Sequence, residues 1–322
     1  MLTSRDAAGS PGLTEFTDSE SKLSRLVRIT SMAVDQPRPF ATLVRLSKAQ
    51  IALNNISVVD RHVRLARRLR LLEKSNDRFR ATDRAKALLK LDGPPSSSES
   101  LSQYDKVFFT QALLQEAPVQ LLILMKAIEH EQGRPWGSVV IEYFKHYEYL
   151  PWKHQTIVRS LSSYEMSGHV PRLLEHKVSA MAGWLRDLGL TAPRGPPRLT
   201  QSGDMLLSHW SMDRHTLDLE PLQAARIVCG IAQAKEFTIR PFDTSIIERA
   251  TEILRTSPAP FGMVSYEYAR FRVTCSLLVE SGIVLNENIF RALVDDLWKK
   301  GVVRSILMGR EGKPEAITLD QG

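Results

Sequence analysis

Residues 60–90 read DRHVRLARRLRLLEKSNDRFRATDRAKALLK, and the fold class turns on this stretch. At about 100° per residue, Val58, Val59, Val63, Leu65, Ala66, Leu69 and Leu72 share one side of a helix beginning near Val58. Arg61, Arg64, Arg67 and Arg68 fill an arc of roughly 120° opposite, with no acid interleaved between them. Arg70 falls on the apolar side by the same arithmetic and reads as structural. Asn76-Asp77 is a turn signal, Arg78 to Thr82 alternates like a short strand, and Asp83 is placed to cap a helix carrying Ala85, Leu88 and Leu89.

Working outward, Leu23, Leu26, Val27 and Val34 recur at helical spacing until Pro37 and Pro39, and a second helical stretch runs from about Phe40 to Leu53. Three helices, a short strand turn and a further helix are the order of a winged helix. Residues 21–92 are therefore expected to form one such unit, after a tail (residues 1–20) rich in Ser, Gly, Thr and acids that has little to bury. DGPPSSSES, with no apolar residue, marks a linker at 93–103.

The same stretch explains the charge. The 322 residues carry 43 bases and 36 acids, a net of +7. Residues 60–90 hold eleven of those bases and four of the acids, which leaves 32 of each for the remainder. A local excess of this kind is what a polyanion-binding element needs; general solubility does not require it. The alternative is a solvated helix face, which in a neutral protein normally mixes signs. In a winged helix the third helix enters the major groove and the wing touches the backbone or minor groove, so Arg61, Arg64, Arg67 and Arg68, with Arg78 and Arg80 on the wing, are the primary candidates for double-stranded DNA contact.

The pattern returns downstream. An apolar helix from 108 to 128 breaks or kinks at Pro118, a helical stretch follows around Val139 to Tyr147, and the Ser/Gly-rich SLSSYEMSGHV reads as a loop. A helix from about Leu173 to Leu188 leads to Gly189, a hairpin tipped by APRGPP, and a helix restarting at SGDMLL. RLLEKSNDRFRATDRAKALL and WLRDLGLTAPRGPPRLTQSGDMLL share a grammar, with the Leu pair six residues after a Thr in both (Thr82 to Leu88, Thr200 to Leu206). On helix 173–188, Leu173, Leu174, Val178, Met181, Trp184, Leu185 and Leu188 form the expected buried stripe. His176, Ser179, Ala180, Gly183 and Arg186 point away from it, toward either a groove or another helix. Arg172, His176, Lys177 and Ser179, with Arg194 and Arg198 on the hairpin, are the secondary candidates for DNA contact.

A third copy is expected after two connecting helices with a turn near Pro241. It has helices at Tyr266–Glu280 and Asn288–Lys300, then a strand, a glycine-rich turn and a strand in VVRSILMGREGKPEAITL. Its outward face carries Arg291, Asp295, Asp296 and Lys299, and acids there would repel phosphates. The expected organisation is mainly α with short β wings, three tandem winged-helix domains at 21–92, 104–210 and 261–322, with 211–260 as a helical connector and the last unit a scaffold or protein contact.

Catalytic signals are weak. Asp296 followed by Glu311-Gly312-Lys313 imitates the D…ExK spacing of metal-dependent nucleases, but the Asp lies in a helical pattern and the ExK in a turn. There is no HExxH, G-x-S-x-G, Walker loop or GxGxxG, and His130, His146 and His154 are scattered and read as structural. Cys229 and Cys275 stand alone, which suggests neither a disulfide framework nor a zinc site. No catalytic residue, metal or cofactor is assigned. With no secretory signal and no long uncharged apolar run, the expectation is a soluble, cytoplasmic protein with no membrane partner.

HKVSAMAGWLRDLGL and YEYARFRVTCSLLVESG resemble segments of the DNA-recognition half of the FokI family of type IIS restriction endonucleases, and the order of units agrees. The resemblance implies three winged-helix-like subdomains on a short asymmetric duplex site, the first two reading bases and the third contacting protein. Carried over, Arg61, Arg64, Arg67 and Arg68 match the first reader and Arg172, His176, Lys177 and Ser179 the region of the second. The nuclease domain that follows in that family has no counterpart in these 322 residues. The expected function is recognition of duplex DNA for a restriction or anti-phage system, with a partner chain carrying nuclease or ATPase activity. The alternatives are a scaffold subunit of a DNA-maintenance or defence complex, and a transcription regulator.

Overall fold

The computed structural model describes residues 22–92, 100–146, 154–211, 216–231, 242–257 and 260–320. The expected tail at 1–20, most of the linker and the turn near Pro241 lie outside the described residues. What is described is mainly helical with small antiparallel sheets.

The first region runs α1 (Leu23–Ser31), β1 (Arg38–Pro39), α2 (Phe40–Ile51), α3 (Ile56–Arg68), β2 (Leu72–Ser75) and β3 (Arg78–Ala81), its strands ordered β1-β3-β2. Helix α3 starts at Ile56, two residues before the expected Val58, because the Asn55 side chain accepts from Ser57 N–H and caps the helix there. Val59, Val63, Leu65 and Ala66 are buried along it, and side chains of this kind contribute about 1.5–3 kcal/mol each for the larger ones. The β2–β3 hairpin closes through Asn76 and Asp77, both with positive φ (47° and 57°), as a two-residue turn matched to strand twist requires. Strand β1, two residues long, lies where Pro37 and Pro39 were expected to end the pattern. Pro39 lacks an N–H, which is tolerated on an edge strand.

The middle region comprises α4 (Asp83–Asp92), α5 (Gln103–Glu116), α6 (Pro118–His130), α7 (Trp136–Phe144), α8 (His154–Ser167), α9 (Arg172–Asp187) and α10 (Gln201–Ser208). A two-stranded ladder, β4 (Trp210–Ser211) with β5 (Thr216–Leu217), and α11 (Pro221–Val228) follow. Pro118 ends one helix and starts the next, at a bend of 105°. The segment expected as a Ser/Gly loop is instead helix α8 as far as Ser167. Ile157, Leu161 and Tyr164, at helical spacing, pack on the core, and this burial overrides the weak propensity of the serines. The expected hairpin at 190–199 is reduced to one bridge, Thr191 to Leu199, with Ala192 N–H donating to Arg198 C=O at 2.9 Å. Pro193, Pro196 and Pro197 have no N–H to extend a ladder. On α9, Leu173 is exposed and Ala180 buried, the reverse of the expected assignment.

The last region repeats the first: α12 (Thr244–Arg255), β6 (Met263–Ser265), α13 (Tyr266–Ser281), α14 (Glu287–Lys299), β7 (Val303–Met308) and β8 (Pro314–Leu319), with strands ordered β6-β8-β7. Helix α12, in the stretch expected as a connector, packs on α13 and α14.

One device recurs three times. Helices α3, α9 and α14 each end in a residue with positive φ: Arg70 (57°), Gly189 (78°) and Gly301 (74°). The next N–H reaches back five residues, Leu71 to Ala66 at 2.7 Å, Leu190 to Leu185 at 2.8 Å and Val302 to Leu297 at 2.9 Å, a Schellman closure. Its carbonyl then receives the chain returning from the hairpin or loop, from Thr82, Thr200 and Asp320 N–H, each at 3.0 Å. Thr82 and Thr200 also cap the following helices through Ala85 and Gly203 N–H, so Thr82 is the cap of α4, the role expected of Asp83. The Thr hydroxyls donate to the carbonyls of Arg70 and Gly189 (2.7 and 2.6 Å), which gives the repeated grammar its physical content.

All regions share one continuous core. At its centre α5 meets α13, where the rings of Phe108 and Phe271 stand edge to face at 5.6 Å. Among the described residues no single helix is long and apolar enough to cross a membrane. The bent pair α5 and α6 passes on composition, but most of its side chains are buried in this core.

Candidate nucleic-acid interface

Helix α3, the left-handed turn at Arg70 and the β2–β3 hairpin enclose an open cleft of about 810 Å3. Its lining holds six bases, Arg64, Arg67, Arg68, Arg70, Lys74 and Arg80, against Glu73, Asp83 and Glu267, the last from the start of α13. Of the primary candidates, Arg64 and Arg67 are exposed on α3 and Arg78 and Arg80 on β3, where Phe79 and Ala81 alternate inward. Arg61 is half-buried. Arg68 is largely covered and ion-paired with Glu116 of α5, so it ties the basic helix to the middle region. Arg61 and Arg78 are absent from the cleft lining.

All four acids of the basic stretch have a local partner. Asp60 pairs with Arg64 at 3.1 Å, Glu73 with Arg80 across the hairpin at 2.6 Å, Asp77 with Lys74 at 2.7 Å and Asp83 with Lys86 at 3.2 Å. The Lys74 hydrogen bond holds the Asp77 carboxyl below its ordinary value. Exposed pairs of this kind are screened by solvent and contribute little, so a phosphate oxygen competes readily for the same cations. Arg67, Arg70 and Arg78 have no carboxylate partner in an ion pair among the described residues.

Two residues change the reading of the charge. Arg84, counted within the basic stretch, is buried. Its guanidinium lies over the rings of Phe108 (4.8 Å) and Phe271 (5.7 Å) and donates to Gln115 at 3.3 Å and Gln111 at 3.5 Å. Burial brings its pKa down to about 10, which leaves it charged at neutral pH. Arg70, read as structural from helical arithmetic, is exposed and lines the cleft, because the helix has ended before it and the chain has turned left-handed. The signal was available: Gly189 and Gly301 hold the same place in the other two copies.

The secondary candidates stand apart from this cleft. Arg172 and His176 are exposed near the start of α9, Lys177 is half-buried, and Ser179 Oγ donates to His176 C=O at 3.3 Å. Arg194 and Arg198 are exposed on the proline-rich loop. The far end of α9 touches the first region, where Asp187 Oδ2 accepts from Leu23 N–H at 2.9 Å.

On the last region, Arg291 and Lys299 are exposed and Asp295 and Asp296 half-buried. Asp296 pairs with Lys299 at 3.4 Å, and Glu311 with Lys313 at 2.9 Å in the β7–β8 turn. The D…ExK residues thus sit on a helix and in a turn, each engaged with its own local lysine. His130 lies 3.0 Å from the buried Glu131 and 3.7 Å from Glu142, a trio with metal-ligand chemistry. Arg134 and Lys145 already neutralise its carboxylates, at 3.0 and 2.6 Å.

Compared with models of protein families, with curated proteins and with solved structures, the chain matches none.

Proposed function

We propose that this chain is a double-stranded DNA-binding protein of three tandem winged-helix units. The first is the primary reader, the second contributes through α9 and the proline loop, and the third contacts protein. The observation that carries the reading is the cleft itself: an amphipathic third helix, its terminal turn and the following hairpin bring six bases to one surface of an otherwise neutral chain. The shared element and strand order of the first and last regions supports the winged-helix assignment, since helix, strand, helix, helix and hairpin is the order of that fold. The likeness to the recognition half of FokI-type enzymes supports a role as the recognition component of a restriction or anti-phage system, with nuclease or ATPase activity on a partner chain.

Fluorescence anisotropy on duplex DNA tests the reading. Binding should weaken steeply with salt and collapse when Arg64 and Arg67 are replaced. Salt-independent binding, or none, would sink it. A scaffold role gains support from the exposed Phe261, Met263, Trp298, Leu307 and Met308 of the last region. In that case a protein partner captured from the native cell stays bound after nuclease treatment and is lost on Trp298→Ala with Leu307→Ser.

A further inference from the structure

Three turns in this chain are built alike, and two of them use glycine where the third uses arginine. We propose that Arg70 is a phosphate-contacting residue of the DNA interface, and that its left-handed backbone serves to aim the guanidinium into the cleft. The inference rests on reading the cleft as a DNA-binding surface.

The side chain does nothing for the turn. Arg70 N–H donates to Arg67 C=O at 3.0 Å and Arg70 C=O accepts from Thr82 Oγ1 at 2.7 Å. Gly189 makes the same two bonds without a side chain, to Arg186 C=O at 2.9 Å and from Thr200 Oγ1 at 2.6 Å. The side chain of Arg70 is exposed, so it does not belong to the core either. Its backbone sits at φ 57°, a region that L residues enter at a cost and glycine enters freely. The side chain also joins Arg67 and the ion-paired Arg64 and Arg80 around one cleft, where six bases outnumber three acids and the balance favours an anion. The backbone conformation opposes folding, and the cationic side chain it carries contributes only when a polyanion is bound. Ala52 is left-handed and exposed at the end of α2 as well; what distinguishes Arg70 is that its strained position carries a charge that lines the cleft.

The test compares wild type with Arg70→Gly, Arg70→Asn and Arg70→Lys in the full chain, using a short fluorescein-labelled duplex of mixed sequence over a salt series. Arg70→Gly should keep or raise the thermal midpoint. Its affinity should fall roughly three- to tenfold, and the log–log salt slope should become shallower by about 0.9. Arg70→Asn, which also accepts the left-handed region, should lose affinity in the same way and stands in if the glycine variant fails to fold. Arg70→Lys should retain the wild-type slope. Wild-type affinity and slope in the glycine and asparagine variants would overturn the inference alone. A lowered midpoint in both would also overturn it, since the side chain would then be holding the turn. Absence of salt-dependent binding by the wild-type chain would remove the reading of the cleft and this inference together.

Discussion

Residues 23–81 and 244–319 pass through the same elements in the same order, with the third strand central in both sheets, yet they present opposite surfaces. The first offers Arg64, Arg67, Arg70 and Arg80 around a cleft. The second offers Trp298 beside paired Asp296 and Lys299, with Met263 and Leu307 on the outer side of its sheet. The inner faces explain why one architecture accommodates both. Val59, Val63 and Ala66 on α3, like Phe290, Leu293 and Leu297 on α14, bury the helix, and the backbone bonds of the terminal turn close it. Neither requirement constrains the outer face, which is left to whatever the surface must bind.

The strongest way to break this comparison is to reverse charge on each outer face. Arg64→Glu with Arg67→Glu should lower duplex affinity by roughly two to three orders of magnitude at ~0.1 M salt. Arg291→Glu with Lys299→Glu on the last region should change it by less than about threefold, because neither residue lines the cleft. Anisotropy titrations on the four-residue set check both; equal losses would erase the distinction between the two faces.

The joint at Arg84 comes next. Arg84 of α4, the helix that continues directly from the first region's hairpin, lies over the rings of Phe108 on α5 and Phe271 on α13, so it couples the middle region to the last. Arg84→Ala should cost about 2–4 kcal/mol by urea denaturation, from the void left and the packing lost against Phe108 and Phe271. Arg84→Met, which fills the volume without a charge, should stay within about 1 kcal/mol of wild type. An alanine variant as stable as wild type would show that the guanidinium contributes nothing to the joint. Burial also acts on the thiol of Cys275 in α13, pushed up to about 12, and on that of Cys229, just past the end of α11, pushed up to about 11. Both acids have folded values above their unfolded ones, so both penalise the folded state increasingly as pH rises above about 9. At pH 8 neither thiol should react with iodoacetamide in the native chain, read by mass spectrometry. Arg84→Ala should speed labelling of Cys275 if the joint loosens.

Much of the first region was legible because its signals are local. The apolar stripe of α3 and the Asn76-Asp77 turn depend on neighbours a few residues away, and both appear where their spacing puts them. The Thr82 and Thr200 correspondence was visible for the same reason. Strands β1 and β6 were not, since two or three residues carry no alternation and form only because β3 and β8 offer an edge. Helix α8 was hidden by its serines until Ile157, Leu161 and Tyr164 found a core. Charge counting treated Arg70 and Arg84 alike as members of one basic run. Which of them faces solvent depends on a left-handed turn in one case, signalled only by the glycines at 189 and 301, and on packing by α5 and α13 in the other, which local spacing does not carry.

The smallest effect gives the cleanest comparison. Gly301→Arg imposes on the last region the residue that the first carries at Arg70. A Cβ at Gly301 would meet nothing within 4 Å, so crowding adds no penalty and only the backbone conformation at φ +74° does. The expected loss is about 1–2 kcal/mol in urea denaturation. Duplex affinity should stay unchanged, because residue 301 does not line the basic cleft. A loss near zero would mean that this turn tolerates any side chain at no cost, and the strain argued for Arg70 would go with it. The same loss together with a gain in affinity would mean that the outer face of the last region also reaches the duplex, and the functional division between the two regions would fall.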